Sequence, residues 1–253
     1  MTVILRAEAL NKSFGGVRAV NGCSFTLREG SVTGLIGPNG AGKSTAIDLL
    51  SGFQRPDSGS AFLDGVPLIG KAPHDISRLG LIRTFQSPRE WASLSVLDNL
   101  LLAMREYGRE SIWRGVLRPV REAPQRVRAR EILDRFGLGS LINAPAGTLS
   151  GGQKRLLEFA RIAAAGPRLL ILDEPMGGVN PVLGERIHQA IGDFVAHGST
   201  VVVVEHNLRF IEETCDEVIV MSLGAVIAQG PYAALRNDPQ VVDAYLGEVQ
   251  DHV

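Results

Sequence analysis

Val32-Thr33-Gly34-Leu35-Ile36 runs directly into Gly37-Pro38-Asn39-Gly40-Ala41-Gly42-Lys43-Ser44-Thr45, and a helical stretch then continues through Ile47, Leu49 and Leu50. An apolar strand, a glycine-rich turn and a helix in that order form the setting in which backbone amides are gathered onto phosphate oxygens. The glycines let N–H groups turn inward, and the helix N-terminus adds its positive dipole end. Lys43 is placed to reach the β and γ phosphates, and the Ser44 hydroxyl to ligate Mg²⁺. The stretch therefore predicts binding of ATP with Mg²⁺, although by itself it would fit a kinase, a GTPase or a motor equally well, and it predicts that Val32 to Ile36 is a strand of an α/β sheet.

Two further apolar runs support such a sheet. Leu169 to Leu172 and Thr200 to Val204 are continuously apolar, as expected for parallel strands covered on both faces, so they are expected in its centre. The first ends in Asp173-Glu174-Pro175, which puts two carboxylates at the carboxyl end of a strand, where ligands collect in open α/β sheets. There Asp173 is suited to hold Mg²⁺, and Glu174 to orient or deprotonate an attacking water. Two acids in a turn are otherwise ordinary surface, and it is the phosphate loop that gives them meaning.

Ile4 to Ala9, Val20 to Leu27 and Ser60 to Leu63 read as short, turn-separated strands of an antiparallel sheet beside the parallel one. Between about Ser95 and Gly166 strand signals disappear, and helices are expected over Ser95 to Tyr107, Glu122 to Phe136 and Gly151 to Ala165. From Arg105 to Arg130 this stretch holds eight arginines and three glutamates, a pattern that fits a solvated helical face or a basic contact surface.

The whole chain has 253 residues, 26 Lys plus Arg against 27 Asp plus Glu, and 45% hydrophobic residues. That length can bury a sizeable core, and the near-zero net charge leaves no broad basic field to attract nucleic acid. Cys23 and Cys215 lie far apart with no metal or disulfide spacing, so both are expected as buried thiols in a reducing compartment. No apolar run approaches the ~20 residues that span a bilayer, and Arg6 and Glu8 interrupt the start of the chain where a signal peptide would be apolar. The expectation is a chain that neither crosses a membrane nor is exported.

Leu149-Ser150-Gly151-Gly152-Gln153 opens a helix and would make a second anion site from the Ser and the glycine amides. One ATP does not need two such sites. Taken together, Gly37 to Thr45, Leu149 to Gln153 and Leu169 to Glu174 resemble the nucleotide-binding subunits of ATP-binding cassette (ABC) transporters over essentially the whole chain. The resemblance implies an ABC-type P-loop NTPase fold: an α/β protein with a mixed RecA-like core, an N-terminal antiparallel β subdomain and an inserted helical subdomain. It also implies one nucleotide-binding domain over 1–253, a helical subdomain at about 95–166 and a C-terminal helical tail at 231–253. In that family two subunits pack head to tail, so Ser150, Gly151, Gly152 and Gln153 would serve the partner's nucleotide.

Other positions carry over individually. Gln86 resembles the glutamine linking Mg²⁺ to the transporter interface, and His206 the switch histidine that contacts the γ-phosphate. Phe14 resembles the aromatic that stacks on adenine, although a core position in the first sheet would also suit it. Asn180 stands where many members have Asp, so hydrogen-bonding capacity is kept while the charge is lost.

Ser77 to Gln86, Ser95 to Leu100, Val204-Glu205-His206-Asn207, the long segment from Tyr107 to Arg121 and the ending Ala244-Tyr245-Leu246-Gly247-Glu248 are similar to the ATP subunits of branched-chain amino acid importers. Urea and short-chain amide importers, and the subunit driving lipopolysaccharide export, are close alternatives. The implied partners are membrane permease subunits, a second ATP-binding subunit and, indirectly, a solute-binding protein, with the chain on the cytoplasmic face of the membrane. Trp91, beside the glutamine loop, suggests a groove on the surface around Ser87 to Ser95 for a short permease helix. A soluble ABC ATPase acting on DNA or the ribosome is the alternative of another class, but sustained heptads and a second phosphate loop are missing.

Overall fold

The computed structural model describes residues 2–84, 90–104 and 124–250, with the backbone alone for 246–250. The chain divides into two compact units. One comprises residues 1–86, 168–178 and 191–253, and the other residues 87–167 and 179–190.

The first unit contains two sheets. In the four-stranded sheet the order is β2 (Val17–Arg28), β1 (Val3–Phe14), β4 (Ser58–Leu63) and β5 (Val66–Pro67), with every pair antiparallel. In the six-stranded sheet the order is β10 (Ala225–Gly230), β9 (Glu217–Ser222), β3 (Val32–Ile36), β8 (Thr200–Val204), β7 (Leu169–Asp173) and β6 (Leu81–Arg83). All its pairs are parallel except β9 with β10. Every residue of β3, β7 and β8 is buried, which is why these strands are continuously apolar.

Helix α1 (Lys43–Leu50) buries Ala46, Ile47, Leu49 and Leu50. They share one core with Leu5, Leu10 and Leu27 of the antiparallel sheet and with Leu35, Ile171, Val202 and Ile219 of the parallel-rich one. At about 1.5–3 kcal/mol for each fully buried aliphatic side chain, this shared core firmly fixes the helix that the phosphate loop leads into. Helix α2 (Pro73–Leu79) adds Ile76 to the same core.

Strands β1 and β2 are longer than the sequence pattern suggests, at twelve residues each. Their register shifts repeatedly, and one of the interruptions lies between Ala7 and Leu10. There Ala9 has φ 46°, its N–H donates to Ser24 Oγ at 2.8 Å, and Asn11 Oδ1 accepts from Gly22 N at 2.8 Å. These side chains replace missing ladder bonds, so the strand continues through a bulge that breaks its alternation.

The second unit holds α3 (Val96–Ala103), α4 (Pro124–Arg135), α5 (Gly151–Ala165) and the first part of α6 (Pro181–Ala196). No strand is formed among its described residues, and its apolar interior includes Leu97, Leu100, Leu133, Leu157 and Phe159. The first unit is completed by α7 (Leu208–Thr214), α8 (Tyr232–Leu235) and α9 (Pro239–Gln250). No described helix is long and apolar enough to cross a membrane. Cys23 is buried as expected, whereas Cys215, at the carboxyl end of α7, is only half-buried.

Candidate nucleotide site

The phosphate loop is held from both sides. Within it, Ala41 N donates to Pro38 O at 3.2 Å, and Gly42 caps α1 in the left-handed region at φ 95°. The first i→i−4 bond of the helix is Ala46 N to Gly42 O at 2.8 Å. Lys43, Ser44 and Thr45 therefore form the opening turn whose amides a helix leaves for caps or ligands. The Lys43 ammonium folds over the loop, donating to Gly37 O at 2.7 Å and Pro38 O at 2.8 Å. Its charge rests on carbonyl oxygens at the loop, where a polyphosphate would offer better acceptors.

The outer brace is the β9–β10 hairpin, which the sequence pattern did not reveal. Its two-residue turn, Leu223-Gly224, has φ 47° and 82°, as hairpin turns with the twist of the strands require. Gly224 N donates to Ala41 O at 3.0 Å, and Gly224 O accepts from Asn21 N at 2.8 Å. The turn thereby ties the loop to strand β2.

At the end of β7, Asp173 is nearly buried, and its Oδ2 accepts from Arg83 Nη2 at 2.9 Å. Arg83 also pairs with Asp48 of α1. Burial opposes the Arg83 charge, but hydrogen bonds to Asp48 and Asp173 outweigh it and hold the guanidinium pKa above its usual value. Thr84 Oγ1 accepts from Asp173 N at 3.1 Å, so the last residue of the edge strand β6 and the residue after it both secure this acid.

The next residue, Glu174, has φ 47°, an uncommon conformation for a non-glycine residue that costs of order 1–2 kcal/mol. Its N–H donates to Val204 O at 2.9 Å, and its own carbonyl accepts from Gly177 N at 3.1 Å. The carboxylate thus leaves the strand through a turn rather than by simple alternation. His206, just past β8, is largely exposed. Phe14 is 46% exposed with Lys12 Nζ 5.5 Å from its ring centre, which removes the core alternative and leaves a ring face available for stacking.

Ser44 and Asp173 offer hydroxyl and carboxylate oxygens, the hard donors that suit Mg²⁺. No group of three or more His, Cys, Asp or Glu side chains gathers as a metal site among the described residues. The donors fit an ion that keeps waters and takes further oxygens from a phosphate.

In the second unit, Ser150 caps α5 reciprocally with Gln153. Ser150 Oγ accepts from Gln153 N at 3.3 Å, and Gln153 Oε1 accepts from Ser150 N at 2.9 Å. Ser150 and Gly151 are exposed, and a methyl added at Gly151 would meet nothing within 4 Å. Asn180 Oδ1 accepts from Leu183 N at 2.9 Å, so it caps α6 with Pro181 at the first helical position. Asn serves that cap as well as Asp does.

Trp91 is 45% exposed, with the Arg161 guanidinium 4.3 Å from its ring centre. The segment carrying it is clamped by Asn99, which is fully buried. Asn99 Oδ1 accepts from Trp91 N at 2.9 Å, and Nδ2 donates to the carbonyls of Trp91 and Ser95 at 3.0 Å each. Gln86 and Ser87 to Arg89, and the segment from Tyr107 to Arg121, lie outside the described residues.

Arg83, Glu205 and Asn99 are not marked as functional residues by the sequence pattern. Each is polar in a stretch that otherwise reads as strand or helix, and that mismatch was the available signal.

With this geometry in place, comparison with known proteins identifies its class. A family model described as ABC transporter matches residues 20–177, and one described as branched-chain amino acid ATP-binding cassette transporter matches residues 225–251. The chain belongs to the ABC transporter ATP-binding family.

Within that family it is similar to the probable branched-chain amino acid transport ATP-binding protein LivG of Archaeoglobus fulgidus. The two are 42% identical over 246 residues, covering 96% of this chain and 95% of the relative. It is also 37% identical over 252 residues to the high-affinity branched-chain amino acid transport ATP-binding protein BraF of Pseudomonas aeruginosa, covering 97% and 98%. Among solved structures, the ADP conformation of MJ1267, an ATP-binding cassette of an ABC transporter, superposes with a TM-score of 0.83. That pair has 34% identity, over 98% of this chain and 100% of that one.

Proposed function

We propose that the chain is the ATP-binding and hydrolysing subunit of an importer for branched-chain amino acids. The observation that carries this reading is the 35–42% identity, over nearly the whole of both chains, to relatives named for branched-chain amino acid transport. The match over residues 225–251 favours it over the urea, amide and lipopolysaccharide alternatives, because it falls on the C-terminal segment rather than on the general ATP site.

Each residue then has a role its chemistry suits. Phe14 stacks on adenine, and the amides of Gly37 to Thr45 receive the phosphates, with Lys43 exchanging the carbonyls of Gly37 and Pro38 for phosphate oxygens. Ser44, Asp173 and Gln86 would hold Mg²⁺, which would supply positive charge to stabilise the phosphates. Glu174 accepts the proton of the attacking water, and His206 contacts the γ-phosphate. Ser150 to Gln153 meet the nucleotide of a second ATP-binding subunit, and hydrolysis reopens the closed pair.

The partners are permease subunits, engaged on the cytoplasmic face of the membrane through the surface around Ser87 to Ser95. A solute-binding protein delivers the amino acid to those permeases. Trp91 supports this surface: a half-exposed indole on a clamped segment is an anchor with little freedom left to lose on binding.

The test is transport in vesicles containing the assembled permease, with Trp91→Ala as the variant. Leucine uptake driven by ATP should fall sharply while the detached chain keeps its ATPase activity. Uptake unchanged, or both activities falling together, would contradict the docking role. Uptake of urea but not of leucine by the wild-type assembly would contradict the solute.

A further inference from the structure

Glu205 is 1% exposed, its side chain is wholly buried, and it lies between the buried strand β8 and His206. Burying a carboxylate is costly unless hydrogen bonds compensate its lost hydration. Among the described residues its compensation is backbone. Oε1 accepts from Met176 N at 2.7 Å, Oε2 accepts from His206 N at 3.2 Å, and the His206 ring Nδ1 stands 3.8 Å away. Both amides belong to loops at the carboxyl end of the sheet. One loop follows Asp173 and Glu174, and the other begins with His206.

The turn after β7 is therefore pinned at two points. Glu174 N is held by Val204 O at the strand end, and Met176 N by the Glu205 carboxylate, while Gly177 N closes the turn onto Glu174 O. Glu174 sits at φ 47° inside that frame, and such a conformation persists only where the surroundings over-determine it. Without the second pin, the turn can relax toward ordinary dihedrals and carry the Glu174 carboxylate off its line. A carboxylate is the acceptor best suited to such a pin, since charge-assisted bonds to N–H groups are shorter and stronger than neutral ones.

We infer that Glu205 is a positioning residue for hydrolysis: its buried carboxylate holds the Glu174 turn and the start of the His206 loop in one register. The inference rests on the proposal that Glu174 and His206 act on the nucleotide.

The test compares Glu205→Ala, Glu205→Gln and Glu205→Asp in the assembled transporter. Ala removes the pin, Gln keeps one amide oxygen to accept from Met176 N but sets an NH2 donor against His206 N, and Asp is too short to make the 2.7 Å bond. Ala and Asp should lower kcat by about ten- to a hundredfold, the cost of a small misplacement of a reacting group. KM and the Kd for ATP should change less than kcat, within about threefold, since the phosphate loop and Lys43 are untouched. Gln, which keeps the Met176 bond and loses the His206 one, should lower kcat by less than about tenfold and less than Ala and Asp do. Hydrogen exchange at the Met176 amide should accelerate in Ala and Asp and stay slow in Gln.

Wild-type kcat in the Ala or Asp variant would overturn the inference, as would an equal fall in the Gln variant or unchanged Met176 exchange in all three. If the Ala chain does not fold, Asp against Gln makes the same distinction. Failure of the underlying reading has a separate signature, full turnover by Glu174→Gln, which is independent of any outcome at Glu205.

Discussion

Gly40 and Gly42 both sit in the left-handed region, at φ 74° and 95°, yet an alanine should harm the two positions in different ways. At Gly40 an added Cβ meets nothing within 4 Å, so the cost of Gly40→Ala is conformational, about 1–2 kcal/mol. At Gly42 the Cβ would lie 2.3 Å from the backbone oxygen of Ala19, about 1.1 Å inside the 3.4 Å where ordinary contact begins. A carbonyl in strand β2 cannot swing aside as a side chain end would, so overpacking adds about 1–3 kcal/mol to the strain.

Gly42→Ala should therefore lose about 2–5 kcal/mol of stability and Gly40→Ala about 1–2 kcal/mol, read as urea midpoints at constant slope. ATP affinity should behave differently. Gly40→Ala relieves its strain by swinging the local peptide away and gives up one phosphate contact worth about 1.5–3 kcal/mol, or roughly ten- to a hundredfold in Kd. Equal stability of the two variants would refute the close-approach argument. Unchanged ATP affinity in Gly40→Ala would refute the role of this glycine in the cradle.

Lys43→Ala should weaken ATP binding itself, because the phosphates lose their main positive partner; equilibrium binding that matched wild type would count against the role of Lys43. Asn99→Ala leaves the Trp91 amide without its 2.9 Å acceptor and should cost about 2–4 kcal/mol. Hydrogen exchange should quicken at Trp91 while α5 keeps its protection, and slow exchange at Trp91 would show that the segment does not depend on Asn99. Burial pushes the Cys23 thiol up to about 11 and, with Asp216 adding to burial, the Cys215 thiol up to about 12, from 9.0 in each case. Protonated thiols thus favour the folded chain, a contribution complete below pH 9 and lost as pH climbs through those raised values. A chain with both cysteines replaced by alanine should lose less stability than wild type between about pH 8 and 10.5 in urea titrations. Parallel losses would contradict this.

The parts of this molecule that sequence pattern exposes are those where one physical demand acts alone. β3, β7 and β8 are covered on both faces, so hydrophobicity by itself marks them. The phosphate loop is legible because glycine, Lys43 and Ser44 each answer to the same ligand, and α5 because Ser150 and Gln153 form a reciprocal cap. Elsewhere two demands compete. The bulge at Ala9 breaks the period of β1, so its pattern reads as a shorter strand than the twelve residues observed. The β9–β10 turn places Leu223 at positive φ where Asn or Asp would have announced a hairpin.

Arg83, Asn99 and Glu205 are the harder cases. Nothing in one dimension says that Arg83 joins Asp48 to Asp173, or that Glu205 reaches an amide 29 residues before it. Such residues acquire their partners only when separate strands are brought side by side. The same three residues secure the Asp173 carboxylate, the Trp91 segment and the Glu174 turn, so they carry much of the precision that the recognisable motifs need.

Glu174, as the group that activates water in an ATP site completed by a second subunit, is the residue on which hydrolysis depends most directly. The decisive measurement is retention and turnover of radiolabelled ATP by Glu174→Gln in the assembled transporter. The variant should bind ATP as wild type does, hold it unhydrolysed in a closed pair, and turn over at least about a hundredfold more slowly. Rapid conversion of the bound ATP to ADP by that variant would contradict the central claim.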